Sequence, residues 1–97
     1  MAEFLRGAVE LHILHHADEH EIHGAWMSAE LGNHGYRISP GTLYPTLHRL
    51  EQRGLLTSRK DVVDGHARRL YRVTAQGRAE LKRMRRALRE LADEVLD

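Results

Sequence analysis

The dipeptide Asp64-Gly65 constrains this chain more than any other feature. It separates two β-rich runs, Leu55–Val63 and Ala67–Val73, and an Asp-Gly pair in that position closes a β-hairpin. Everything on either side of the hairpin reads as helix. Residues 3–17 hold Phe4, Leu5, Ala8, Val9, Leu11, Ile13 and Leu14. That run is too long and continuous for a strand and predicts a mostly buried helix. A polar break at 17–21 leads to a second helix over 22–33, with Ile22, Trp26, Met27 and Leu31 apolar and Asn33–Gly35 as its stop signal. Ser39 is an N-cap, Pro40 a first helical residue and Gly54 a C-cap. They bracket a third helix over 40–53, in which Leu43, Leu47 and Leu50 recur at i, i+4, i+7 and give one buried face. Thr74 caps a last helix that runs to the end of the sequence. The order is helix, helix, helix, hairpin, long helix. The expected fold class is therefore mainly α with a small β-hairpin, a winged helix-turn-helix followed by a C-terminal dimerisation helix. The expected units are 1–75 for the winged helix-turn-helix and 76–97 for the helix.

Composition narrows the function. The 97 residues make one domain's worth of chain with a small core, a size that favours oligomerisation. With no cysteine, disulfides, thiolate zinc sites and cysteine nucleophiles are excluded. No apolar run approaches the roughly 18 residues of a membrane span, and the first sixteen residues lack a cleavage-site pattern. The expected location is cytoplasmic, with no membrane partner. Ser39 and Ser58 have no evident His/Asp arrangement, and no phosphate-cradling glycine loop occurs. The expectation is that the chain is not an enzyme. Charge is unevenly spread. Residues 1–37 carry two basic and six acidic side chains, 38–78 eight and three, and 79–97 five of each. A basic middle segment suits a phosphate-binding surface, because neutralising phosphates releases counterions.

On a helical wheel, Gly41, Pro45, His48, Arg49 and Gln52 lie opposite the leucine face of the third helix, with Thr42 and Tyr44 on its flanks. Arg49 can fork onto guanine, His48 can donate to a base or phosphate, and the Thr42 and Tyr44 hydroxyls suit either. Free N–H groups at the helix start attract a phosphate. Pro45 removes one internal hydrogen bond, to the carbonyl of Gly41. In the hairpin, Arg59, Lys60, Arg68 and Arg69 flank the turn, where a wing meets the DNA backbone or minor groove. Asp61 and Asp64 sit among them and oppose this in part.

The stretch from Ile38 to Leu56 resembles the signature of PadR-type regulators. It contains Pro40-Gly41-Thr42-Leu43-Tyr44-Pro45, then Leu47-His-Arg-Leu50-Glu51 and Gly54-Leu55. The resemblance extends to Leu5-Arg6-Gly7, His23-Gly24, Arg68–Arg72 with Tyr71, and Thr74-Ala-Gln-Gly77, so it covers almost the whole chain. It implies a winged-helix homodimer that binds an operator in double-stranded DNA, usually as a repressor released by a signal. From the dimer the expected operator is an inverted repeat, and the expected signal is a small molecule or, through the histidines described below, a metal ion. The resemblance places the DNA-reading segment at Ser39, Pro40, Gly41, Thr42, Tyr44, Pro45, His48 and Arg49, and the wing at Val62–Arg69. Short members of the family end, as here, after one helix.

That last helix carries Leu81, Met84, Leu88, Leu91 and Val95 at spacings of 3, 4, 3, 4, a heptad seam. A second copy of the chain would cover it about a two-fold axis; packing onto the first helix is the intrachain alternative. Trp26 reads as a core or interface residue, or as the wall of an effector pocket. Eight histidines are present, and His12, His16 and His20 fall at i, i+4, i+8 with His15, Asp18, Glu19 and His23 nearby. Two imidazoles at i and i+4 share a helix face and can hold zinc or a similar ion. Two alternative functions follow: a metal-responsive winged-helix sensor using the His12–His23 cluster, and a winged helix that binds protein rather than DNA.

Overall fold

Among the described residues, sixteen apolar side chains form the core, and Ile13, Leu14, Met27, Leu31, Leu47 and Leu50 are wholly excluded from solvent. Burying an aliphatic side chain of that size contributes about 1.5–3 kcal/mol. The computed structural model describes residues 3–96; the outer ends of the two expected units, at 1–2 and 97, lie outside them. The elements are α1 (Glu3–Glu19), α2 (Gly24–Asn33), α3 (Pro40–Gln52), β1 (Leu56–Val63), β2 (His66–Val73) and α4 (Ala75–Val95). Together they form a winged helix, with α2 and α3 as the helix-turn-helix pair and β1–β2 as the wing.

The second helix starts two residues later than its hydrophobic pattern suggests. His23 is its N-cap, the ring Nδ1 accepting from the Trp26 N–H at 3.4 Å. Ile22 is extended instead and exchanges two backbone hydrogen bonds with Tyr71 on β2, at 2.9 and 2.7 Å. Long-range pairing overrides helical periodicity there. α2 stops at Asn33, and Gly35 adopts φ +87°, which a side chain would disfavour.

Leu43, Leu47 and Leu50 seat α3 on the core, and the helix runs through Pro45 unbroken. Gly54 ends it at φ +78°. The hairpin pairs antiparallel from Leu56 opposite Val73 to Val63 opposite His66. Asp64 and Gly65 both have positive φ, 51° and 78°, the backbone of a type I′ turn. Thr74 then caps α4, its hydroxyl accepting from the Gly77 N–H at 2.9 Å and donating to the Gly54 carbonyl at 2.6 Å. A Cβ at Gly77 would stand 2.1 Å from the Leu55 carbonyl oxygen, so only glycine lets α4 lie this close to the turn before β1.

The first turns of α4 lie across α1. Leu81 fills the chain's own core at 1% exposure and Met84 packs against it, while Arg85 meets the ring Nδ1 of His15 at 2.9 Å. The seam expected for a second copy is therefore divided. Leu81 is spent within the chain and Met84 in part, whereas Leu88, Leu91 and Val95 are 49%, 46% and 60% exposed. Phe4 and Leu5 on α1 are exposed too, and Phe4 lines the same groove as Leu88. Among the described residues, no helix is long and apolar enough to cross a membrane.

Candidate nucleic-acid interface

The leucine face of α3 fixes what the other side presents. Gly41, Thr42, Tyr44, Pro45, His48 and Arg49 all face solvent. Ser39 occupies the N-cap position, but its hydroxyl makes no bond to the helix backbone and approaches the Thr42 hydroxyl at 3.4 Å. Pro40 has no N–H and the Thr42 N–H bonds to the Ser39 carbonyl at 3.0 Å, so within the first turn the Gly41 N–H is the one left to meet an outside acceptor.

The wheel alone did not single out Thr46. It is a buried polar side chain among the leucines, and its hydroxyl donates to the Thr42 carbonyl at 2.8 Å. The same oxygen accepts from the Arg49 guanidinium at 3.1 Å. Arg49 is thus exposed yet held to the helix surface at one nitrogen. Its i, i+3 spacing from Thr46 was legible; the burial that makes Thr46 a fixed anchor was not.

Tyr44 is half exposed, and its ring packs against Gly24. A Cβ at Gly24 would come within 2.5–2.7 Å of that ring. The glycine that opens α2 thus lets α3 sit close, which gives the His23-Gly24 pair its physical reason.

Strand alternation divides the four wing cations between two faces. Ser58, Lys60, Arg69 and Tyr71 share one face. Ser58 donates to Glu51 of α3 at 2.8 Å and accepts from Arg69 at 3.2 Å, which joins this face to α3. Burial, reinforced by the negative charge of Glu51, pushes the Tyr71 phenol above its usual 10. Lys60, opposite Arg69, is exposed. On the other face, Arg59 grips Glu21 through two hydrogen bonds of 2.8 and 2.9 Å, and Arg68 meets Asp61 at 3.2 Å. The Arg59 hydrogen bonds hold the Glu21 carboxyl below its usual value and raise the guanidinium in turn. Of the cations flanking the turn, Lys60 and Arg69 lie on the α3 side, and Arg59 and Arg68 are engaged with carboxylates of the chain itself.

The histidines regroup. His12 and His16 lie one turn apart on α1, but the third imidazole beside them belongs to His34, just after α2. The ligating nitrogens of these three lie within 4.8 Å of one another. His20 does not join them: its ring packs edge-on to Trp26 at 4.8 Å, and its Nδ1 lies 2.8 Å from the Glu21 carbonyl oxygen. The His16 ring also meets Trp26, at 5.3 Å, which makes Trp26 a wall of the α1–α2 contact. Burial, then the charges of His34, His16 and His15, push the His12 imidazole below 6.5. A second group, His15, His16 and Glu19, shares His16.

Comparison with known proteins agrees with this arrangement. Residues 13–83 match the model of the transcriptional regulator PadR-like family. The chain is 68% identical over 96 residues to transcriptional regulator Rv3488 of Mycobacterium tuberculosis, covering 99% of this chain and 90% of that one. Among solved structures, a PadR family transcriptional regulator from Eggerthella lenta superposes with a TM-score of 0.85 at 33% identity, over 96% of this chain and 82% of that one. A PadR-like transcriptional regulator from Bacillus cereus gives 0.86 at 26% identity, over 97% and 93%.

Proposed function

Because the chain belongs to the PadR-like family of transcriptional regulators, we propose that it acts as a homodimer that binds an inverted-repeat operator in double-stranded DNA and represses transcription until an effector releases it. One observation carries this reading. The outward residues of α3 and the Lys60–Arg69 pair of the wing form one continuous band, joined where Ser58 bridges Glu51 and Arg69. Such a band matches the path of a major groove and its neighbouring phosphates. Arg49 and His48 read base edges, and Thr42, Tyr44 and the N-terminal turn of Ser39, Pro40 and Gly41 fix the register. Pro45 keeps the helix surface smooth at the point of closest approach. Lys60 and Arg69 bind phosphates first, and Arg59 and Arg68 join only by exchanging Glu21 and Asp61 for DNA.

The dimer follows from the apolar surface that one chain leaves uncovered. Phe4, Leu5, Leu88, Leu91, Val95 and Leu96 are all exposed, and an open groove of about 700 Å³ runs between α1 and α4. A second copy buries both, so the unit over 1–75 reads DNA and the helix over 76–97 pairs the heads. As a regulator of transcription the protein works in the cytoplasm, where its operator is.

The test is a selection of genomic fragments by the purified protein at near-physiological salt. An inverted repeat with half-sites about 34–36 Å apart, one helical turn, is the expected yield. Recovery of only random, salt-sensitive DNA would overturn sequence-specific reading.

A further inference from the structure

The histidine cluster is not used by the DNA-facing band, and its members come from three parts of the chain. His12 and His16 project from α1, Glu30 from α2, and His34 from the turn that leads to α3. The Glu30 carboxylate lies 3.1 Å from the Nε2 of His34 and 3.9 Å from that of His16. The rings of His12 and His34 stack at 4.9 Å. A tetrahedral ion with arms of about 2.0–2.1 Å needs donors about 3.3 Å apart. The Glu30–His34 separation is already close to that requirement, and the three imidazoles, whose ligating nitrogens all lie within 4.8 Å of one another, need to draw in by no more than about 1.5 Å.

We propose that His12, His16 and His34, with Glu30, form a binding site for one divalent cation of the zinc class. Three imidazoles and one carboxylate suit zinc, cobalt or nickel and poorly suit magnesium or calcium, which take oxygen donors. The surroundings favour binding. Trp26 covers His16, and the Tyr36 ring meets His12 edge-on at 5.3 Å. Three of the four donors are already partly shielded, and exposed His34 supplies most of the closing movement.

That movement has a direction. His34 is followed by Gly35, Tyr36 and, at position 39, the N-cap of α3. Drawing His34 toward α1 pulls the turn that positions the recognition helix. Resting on the regulator reading above, the ion is the signal that releases the operator.

The experiment uses the whole protein stripped of metal by a chelator. Titration with Co²⁺ is expected to give the visible bands of a tetrahedral complex at one ion per chain, displaced by Zn²⁺. His34→Ala and His12→Ala should each weaken Co²⁺ binding by about 100-fold or more, while His20→Ala leaves it unchanged. His34 is exposed, and an unaltered circular dichroism spectrum of His34→Ala shows that the fold persists. Absence of the bands, or equal weakening by His20→Ala, overturns the site. In the second arm, Zn²⁺ should raise the operator Kd of the natural protein about tenfold and leave that of His34→Ala unchanged. Zn²⁺ binding with an unmoved Kd overturns the signalling role alone. Failure to hold the operator with or without metal overturns the regulator reading and leaves the Co²⁺ result standing.

Discussion

Gly77→Ala sets two effects of opposite sign against each other. Gly77 lies in the first turn of α4, where alanine is the better helix former by up to about 1 kcal/mol. Helix propensity alone therefore predicts stabilisation. Packing predicts the reverse, because the added methyl carbon would stand 2.1 Å from the Leu55 carbonyl oxygen and 2.6 Å from Val73 Cγ2. An ordinary C···O contact is about 3.3–3.6 Å, so α4 must retreat by more than 1 Å. The obstacle is backbone and cannot rotate away. Retreat strains the Thr74 N–H bond to that same oxygen, 3.1 Å long, and loosens Leu81 in the core. Overpacking of this kind costs about 1–3 kcal/mol and the strained hydrogen bond about 1 kcal/mol. Set against the propensity gain, the net loss is about 1–3 kcal/mol. For a domain of this size that lowers Tm by about 4–24 °C, read by thermal denaturation at fixed protein concentration so that any self-association does not shift the midpoint. Gly32→Ala is the control. It too lies in a helix, but with nothing within 4 Å of its Cβ position. It should be neutral or raise Tm slightly. A Gly77→Ala variant as stable as the natural protein would refute the close approach of α4 to the Leu55 turn.

Leu88→Asp puts a charge on the exposed half of the α4 seam and should give monomers by sedimentation; a persisting dimer would move the interface elsewhere. Arg49→Ala should weaken operator binding by about 1–3 kcal/mol and relax preference at one base pair, which an unchanged ratio of operator to random-DNA affinity would contradict. Lys60→Ala and Arg69→Ala should each reduce the salt dependence of binding by about one phosphate contact. Arg59→Ala should reduce it less, since Arg59 is already paired with Glu21; equal slopes for all three would show that the wing's two faces bind alike.

The helix-turn-helix and wing were legible because their boundaries are local. Ser39, Pro40 and Gly54 fix α3, and Asp64-Gly65 fixes the hairpin, through the backbone conformations these residues favour. What escaped depends on contacts between distant parts of the chain. Ile22 fits a helical period, but pairing with Tyr71 makes it extended. His20 continues an i, i+4 series with His12 and His16, yet the chain turns after Glu19 and His20 folds over Trp26. His34 takes the third place in the cluster from eighteen residues beyond His16, with no local signal. Periodicity likewise marks Leu81 and Leu88 as equivalent, and only tertiary packing decides that one faces its own chain and the other does not.

The double hydrogen bond between Ile22 and Tyr71 also has a mechanical side. It clamps the wing at its root, level with Ser58, and Lys60 opposite Arg69 lies only two rungs farther out. Beyond that pair the strands stand free for three more rungs to the turn, a lever of about 10 Å at the usual strand rise. A tilt about the clamp moves Asp64 and Gly65 more than twice as far as the two cations. The inner wing is thus a short bracket and the outer wing a longer tip whose length can change without moving Lys60 or Arg69. On the proposed DNA-binding reading, altering the tip alone would change how far the wing reaches, while the bracket and the helix beside it keep one geometry.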